Sequence, residues 1–216
     1  MPDTLTETRD HPAMLIRNEP MQARSTARLA ALLDAAASVV AEIGYERLTT
    51  AMVADGAGAS IGTVYRYFPD RIAVLQSLAA RNEERATAKV LEQVSDEAHA
   101  DWLAALSSSF DALVDLFRSE PGFASLRLGD VLDLRPAEGS PRNSVMANTI
   151  FDALATRFGL DDSAELRSGF EVAIETTDAL VARAFARDPQ GDPQRLDAAR
   201  RAVGQVIGAY LPLPPR

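Results

Sequence analysis

The chain has no cysteine, only two histidines, and few aromatic residues, which make up 6% of its 216 positions. Without cysteine there are no disulfide staples, thiol nucleophiles or thiolate metal sites. His11 and His99 lie too far apart in sequence for a histidine-rich metal centre. The shortage of aromatics leaves alanine and leucine to fill much of the core, which favours helices over sheets. No run of 18 apolar residues occurs, and the opening MPDTLTETRDHP is polar and acidic, neither a signal peptide nor a membrane segment. A soluble cytoplasmic protein with no membrane partner is the expectation.

Positive charge is also in short supply. The formal net charge is −9, which at first argues against a nucleic-acid partner. The charge is unevenly spread, however. Residues 1–16 carry one basic and three acidic groups, residues 17–89 nine and eight, and residues 90–216 twelve and twenty. The acidity therefore lies mostly outside the first third, and a local basic surface can coexist with an acidic body.

What is present is helical periodicity. Residues 1–24, with Pro2, Pro12 and Pro20, read as a flexible arm. Ser25 or Thr26 can cap a first helix whose stripe is Leu29, Leu32, Leu33, Ala36, Val40 and Ile43, stopped at Gly44. Thr49 or Thr50 caps a short helix through Ala57, Gly58 breaks it, and Ser60 opens another, SIGTVYRYF, with Val64 and Phe68 inward. Asp70 caps a long helix that loses apolar character toward its end, as expected where a helix leaves one core for another. Five more helices follow, including a short one in GFASLRLGDVLDL, with RPAEGSPRN as a loop. About nine helices and no strands are predicted, without internal repeats.

Two short helices joined by a tight turn and braced by a preceding helix have the geometry of a helix-turn-helix reader. Gly62 lets the backbone of the second helix approach something closely, Thr63 offers a hydroxyl and a methyl, and Tyr65 and Tyr67 provide rigid reach. The segment LTTAMVADGAGASIGTVYRYFPDRIAVL resembles the N-terminal signature of the TetR family of bacterial transcriptional regulators. The likeness covers about fifty residues: the capping threonines, Val53-Ala54, the turn to Ser60, Gly62-Thr63-x-Tyr65-x-Tyr67-Phe68, and Arg71. Arg71 stands where the family commonly has lysine, Ile72 replaces a frequent acidic residue, and Ala59 is smaller than the usual valine.

The resemblance implies an all-α, TetR-like fold. Residues 25–75 would form the helix-turn-helix DNA-binding domain and residues 76–216 a ligand-binding and dimerisation bundle. It implies a homodimer on double-stranded operator DNA, most simply a repressor released by a small organic effector. The DNA-facing set it implies is Thr49, Thr50, Ser60, Ile61, Gly62, Thr63, Tyr65, Arg66, Tyr67 and Arg71. Thr49 or Thr50 and Tyr67 look like phosphate-positioning residues, and Tyr65 like a backbone or base-edge contact. Ile61, Thr63 and Arg66 are where members vary, so the operator cannot be copied from the family. Arg66 can also be simply solvated, and Arg71 can serve as an ion-pair partner.

In the body, the last two long helices are apolar over a wide arc, which suits a helix packed inward and against a partner. Phe170, Ile174, Val181, Phe185, Val203, Val206, Ile207 and Tyr210 are the expected dimer interface. Phe110, Phe117, Phe123, Met146, Phe151 and Thr177 are the expected effector site, with Ser107-Ser108-Ser109 and Asn148-Thr149 as nearby polar groups. Each alone fits an ordinary core better than a pocket. Glu171, Glu175 and Asp178 form an acidic stripe, read as a solvated face, an interface ion-pair network or a lining for a cationic ligand.

An enzyme is the rival of a different class. No Gly-rich phosphate loop, HExxH or EF-hand spacing occurs, and neither histidine faces a plausible nucleophile in sequence. No catalytic residue, cofactor or metal is therefore expected. Activation or co-repression on the same fold is the nearer alternative, since the sign of regulation depends on operator position.

Overall fold

The computed structural model describes residues 23–126 and 142–211. Within them the chain forms eight α-helices: α1 Ala23–Ile43, α2 Thr50–Gly56, α3 Ile61–Tyr67, α4 Arg71–Ser95, α5 Trp102–Ser119, α6 Arg142–Phe158, α7 Ala164–Phe185 and α8 Pro193–Gly208. The expected nine are thus eight among the described residues. Of the short helix predicted in GFASLRLGDVLDL, the described part holds a 3-10 turn at Phe123–Ser125, after which Leu126 is extended. The remainder of that segment, the loop after it and the N-terminal arm through residue 22 lie outside the described residues.

Local chemistry sets most of the boundaries. Thr49, Ser60, Asp70, Asp101 and Ser163 each cap a helix, the side-chain oxygen accepting from a backbone N–H three residues on. Asp192 caps α8 ahead of Pro193, whose missing N–H costs nothing in the first turn. The start of α1 differs from expectation. It begins at Ala23, so Ser25 sits inside the first turn and does not cap it.

Two apolar clusters share α4. Leu32, Leu33, Ala36, Ala37 and Val40 of α1 pack with Val53, Ala54, Val64, Tyr67 and Phe68, and α4 adds Ala73, Val74, Leu75 and Leu78. Farther along, Ala86, Val90 and Val94 of the same helix join the body core built by α5 to α8. Asn82, buried, lies between these two sets. This is the physical content of the weakening stripe on α4: it serves two cores in succession.

The seam between the cores is tied by charge and by shape. Arg81 of α4 donates to the Asp34 carboxylate at 2.7 Å and to the Leu33 carbonyl at 3.2 Å, both on α1. One turn on, Arg85 reaches Glu120 at the end of α5, 2.5 Å away. The 3-10 turn after α5 then straddles the seam, with Phe123 in the body core and Leu126 in the N-terminal one.

Candidate functional site

The turn between α2 and α3 is fixed by backbone bonds. Ala59 N–H donates to Ala54 O at 2.9 Å and Gly58 N–H to Asp55 O at 3.1 Å, a Schellman closure with Gly58 at φ +56°. The left-handed residue reverses the chain within a few positions and sets α3 across α2. Val64 and Phe68 point inward, and α3 is anchored through them to α1 and α4.

Most of the expected DNA-facing residues lie at the surface of this unit. Thr49 is the cap of α2, its Oγ accepting from Met52 N–H at 3.2 Å. Thr50 Oγ donates to the Tyr65 hydroxyl at 3.3 Å, joining the first turn of α2 to the middle of α3. Ile61, Gly62, Tyr65 and Arg66 are exposed, and Ser60 and Thr63 bond to one another through their hydroxyls at 3.0 Å. Arg71 is exposed, and its guanidinium donates to the Glu46 carbonyl at 3.1 Å, bracing α4 against the 3-10 turn after α1. That contact is a backbone brace, where an ion pair was the alternative weighed for Arg71.

Tyr67 departs from expectation. Its side chain is only 2% exposed and lies in the N-terminal core. The hydroxyl meets Ser25 Oγ at 3.0 Å and donates to Ser25 O at 3.4 Å, while Arg66 Nη2 donates to it at 3.4 Å. Helical spacing explains this, because residue 67 follows Val64 by three and precedes Phe68 on the same inward arc. Tyr67 therefore pins the first turn of α1 to the end of α3. The Arg66 guanidinium lies 5.1 Å over the same ring.

The expected effector residues come together as a packed cluster. Phe110, Phe117, Phe123, Met146 and Phe151 are all buried in the body core. Phe117 meets Phe123 edge-on and Phe185 at a tilt, both at 5.1 Å between centroids, and Phe151 meets Phe170 edge-on at 5.4 Å. Thr177 is half-buried, and its hydroxyl donates to the Ala173 carbonyl at 2.7 Å.

The neighbouring polar groups are already engaged. Ser107 Oγ accepts from Arg200, Ser108 donates to Gln93 and Ser109 to Ala105 O. Asn148 accepts from Arg167, which also binds Asp152 and Asp162 and lies 4.6 Å over the Phe151 ring. An open cleft of about 660 Å³ sits elsewhere, at the α7–α8 connection, lined by Arg183, Arg187, Asp188, Asp192 and Arg195 among others.

Of the expected dimer face, Phe170, Val181, Phe185 and Ile207 are buried within a single chain, each no more than 7% exposed. They are core because α7 packs on α6 and α8 at once. Ile174, Val203 and Val206 are partly buried against that core. Tyr210 is partly open, and its ring lies on Gly169, where an added Cβ would stand 2.6 Å from it. Val172 is an exposed apolar group on α7 that the stripe pattern did not single out. Of the acidic stripe, Glu175 is exposed, but Asp178 is only 3% exposed, so a solvated face does not describe it.

Among the described residues no helix is long and apolar enough to cross a membrane, and no group of three or more His, Cys, Asp or Glu residues could hold a metal ion.

Known proteins share both halves of this arrangement. Residues 32–78 match the family described as bacterial regulatory proteins, tetR family, and residues 100–208 match the tetracyclin repressor-like C-terminal domain. A TetR-family transcriptional regulator from Streptomyces coelicolor superposes with a TM-score of 0.71 at 31% identity, covering 86% of this chain and 98% of that one. The nucleoid occlusion factor SlmA of Pasteurella multocida is 26% identical over 117 residues, 54% of this chain and 56% of that protein. The transcriptional repressor KstR of Mycolicibacterium smegmatis is 40% identical over 58 residues, 27% of this chain and 28% of KstR. The alignment thus spans about half of SlmA and about a quarter of KstR.

Proposed function

This chain belongs to the TetR family of bacterial transcriptional regulators, and on that premise we propose that it is a sequence-specific operator-binding repressor released by a small, mostly apolar organic molecule. The observation that carries the DNA-binding part is a braced helix-turn-helix whose surface carries Thr49, Thr50, Ile61, Gly62, Tyr65 and Arg71, with Thr50 and Tyr65 hydrogen-bonded across its two short helices. Members of the family typically bind operator DNA as homodimers and respond to small-molecule effectors. Two recognition helices about 34 to 36 Å apart would then read successive major grooves. Phosphate contacts from Thr49, Tyr65 and Arg71 position the protein without specifying sequence.

The effector reading is supported by the aromatic cluster and by its continuity with the DNA-binding unit. Phe117 contacts Phe123, whose 3-10 turn places Leu126 in the N-terminal core. A molecule that repacks these rings acts on the seam directly. For release it must bind the non-operator conformation better than the operator one, and a 100-fold preference supplies about 2.7 kcal/mol of coupling. The partly exposed apolar groups Val172, Ile174, Val203, Val206 and Tyr210 are the proposed partner-facing surface.

Selection of bound fragments from the source genome tests the DNA-binding reading, and recovery of one shared motif supports it. Sedimentation showing only a 23.2 kDa particle at micromolar concentration would count against the dimer. A compound that stabilises the protein and lowers operator affinity supports release. One that tightens operator binding replaces the inducer with a co-repressor.

A further inference from the structure

Six large apolar side chains are exposed among the described residues, and three of them stand on the two short helices: Met52 at 39%, Ile61 at 43% and Tyr65 at 43%. Ile61 is the first residue of α3, and in a helix-turn-helix the N-terminal residues of the second helix meet the base edges. An isoleucine at that position offers no hydrogen bond. Its only favourable dealing with a base pair is apolar contact, and the apolar feature of the major groove is the thymine 5-methyl group.

The immediate neighbours strengthen the point. Gly62 contributes no side chain, and a Cβ built there would meet only Ser60 Oγ, at 3.8 Å. Thr63 has its hydroxyl 3.0 Å from Ser60 Oγ, and Ser60 Oγ also accepts the Thr63 N–H at 3.1 Å. Thr63 also carries a methyl beside that hydroxyl, a second apolar group on the first turn of α3. The nearest cation on the helix, Arg66, is one turn on, with its guanidinium over the Tyr67 ring. The first turn of α3 is therefore an apolar tip, without the forked donor that reads guanine.

We propose that this protein reads its operator chiefly through thymine methyls, with Ile61, aided by the Thr63 methyl, packed on the 5-methyl group of a thymine in each half-site. The proposal rests on the DNA-binding reading above and specifies its chemistry. Sequence preference then comes from buried methyl groups, while the threonine, tyrosine and arginine contacts set position on the backbone.

The test uses the full-length protein and a genomic fragment it selects. Each thymine is replaced in turn by deoxyuridine, which keeps every hydrogen-bonding edge and loses only the methyl. At one or two positions per half-site affinity should fall about 4-fold, the worth of one buried methyl. Replacing the symmetric pair should cost about 15-fold. Ile61→Ala should bind the thymine operator less tightly and be indifferent to deoxyuridine at that position, whereas Ile61→Val should keep part of the discrimination. An unchanged circular dichroism spectrum and melting temperature show that the variants are folded. Tight, specific binding that ignores every deoxyuridine overturns the proposal alone, as does discrimination that survives in Ile61→Ala. Failure to select any specific fragment instead overturns the DNA-binding reading, and this proposal with it.

Discussion

Gly122 and Ala37 meet at backbone distance: a Cβ on Gly122 would stand 2.8 Å from the Ala37 carbonyl oxygen. The contact joins the turn after α5 to the middle of α1, so the body rests on the helix that braces the DNA-reading unit. Gly122 also has φ +73°, a conformation that side chains with a Cβ rarely adopt. Shape and backbone conformation thus both require glycine here.

Gly58 provides the comparison, since it has φ +56° but open space around an added Cβ. Gly58→Ala should cost about 1 to 2 kcal/mol, the strain of the left-handed conformation. Gly122→Ala should cost roughly 2 to 5 kcal/mol, because the clash with backbone adds to that strain. Urea unfolding of the two variants side by side measures the difference.

Leu126 is fully buried in the N-terminal core although it follows α5 in sequence. Leu126→Ala should destabilise the protein by roughly 2 to 5 kcal/mol. Hydrogen exchange should show the loss of protection concentrated in α1 to α3. Loss confined to α5 to α8 would contradict the placement of this residue.

Thr49 and Tyr65 separate stability from binding. Thr49→Ala removes the α2 cap and should cost about 1 kcal/mol in thermal or chemical unfolding. Tyr65→Phe leaves an exposed ring in place, so stability should shift by less than about 0.5 kcal/mol. Its operator affinity should nonetheless fall, since the hydroxyl beside Thr50 is gone.

Arg71→Ala should weaken specific and non-specific DNA about equally. The slope of log affinity against log salt should become shallower by about one per protomer, reflecting one lost phosphate contact. An unchanged slope would assign Arg71 solely to its contact with the Glu46 carbonyl.

The Arg167 network supplies a pH signature. Its hydrogen bond holds the Asp162 carboxyl below the ordinary aspartate range. The ionised form is therefore favoured by folding, so this contribution is complete above the ordinary aspartate pKa and fades as pH falls through the depressed value. Melting temperatures of wild type and Arg167→Met should differ at pH 7 and converge only as pH falls past the ordinary aspartate pKa of about 3.9 toward the depressed value. A gap that persists at acid pH would show that the stacking of Arg167 on Phe151 dominates.

The sequence by itself determined what depends on near neighbours. The caps at Thr49, Ser60 and Asp70, the Gly58 closure and the α1 stripe all arise from interactions within about five residues, and local patterns encode them directly. So does the apolar tip of α3, because Ile61, Gly62 and Thr63 are consecutive. The family resemblance reads Tyr67 outward, in a phosphate role, although its spacing from Val64 points it inward; its partner Ser25 lies 42 residues away.

Tertiary structure decided the rest, because a helical stripe states that a face is covered and not what covers it. Phe170, Val181, Phe185 and Ile207 had apolar arcs suited to a second subunit, yet neighbours in the same chain bury them. Asp178 lay on a stripe that reads as solvated, until packing around α7 enclosed it. Phe123, in the 3-10 turn after α5, and Leu126, just beyond it, enter different cores. That division depends on where α5 ends relative to α1, a distance set by the packing of both helices on α4.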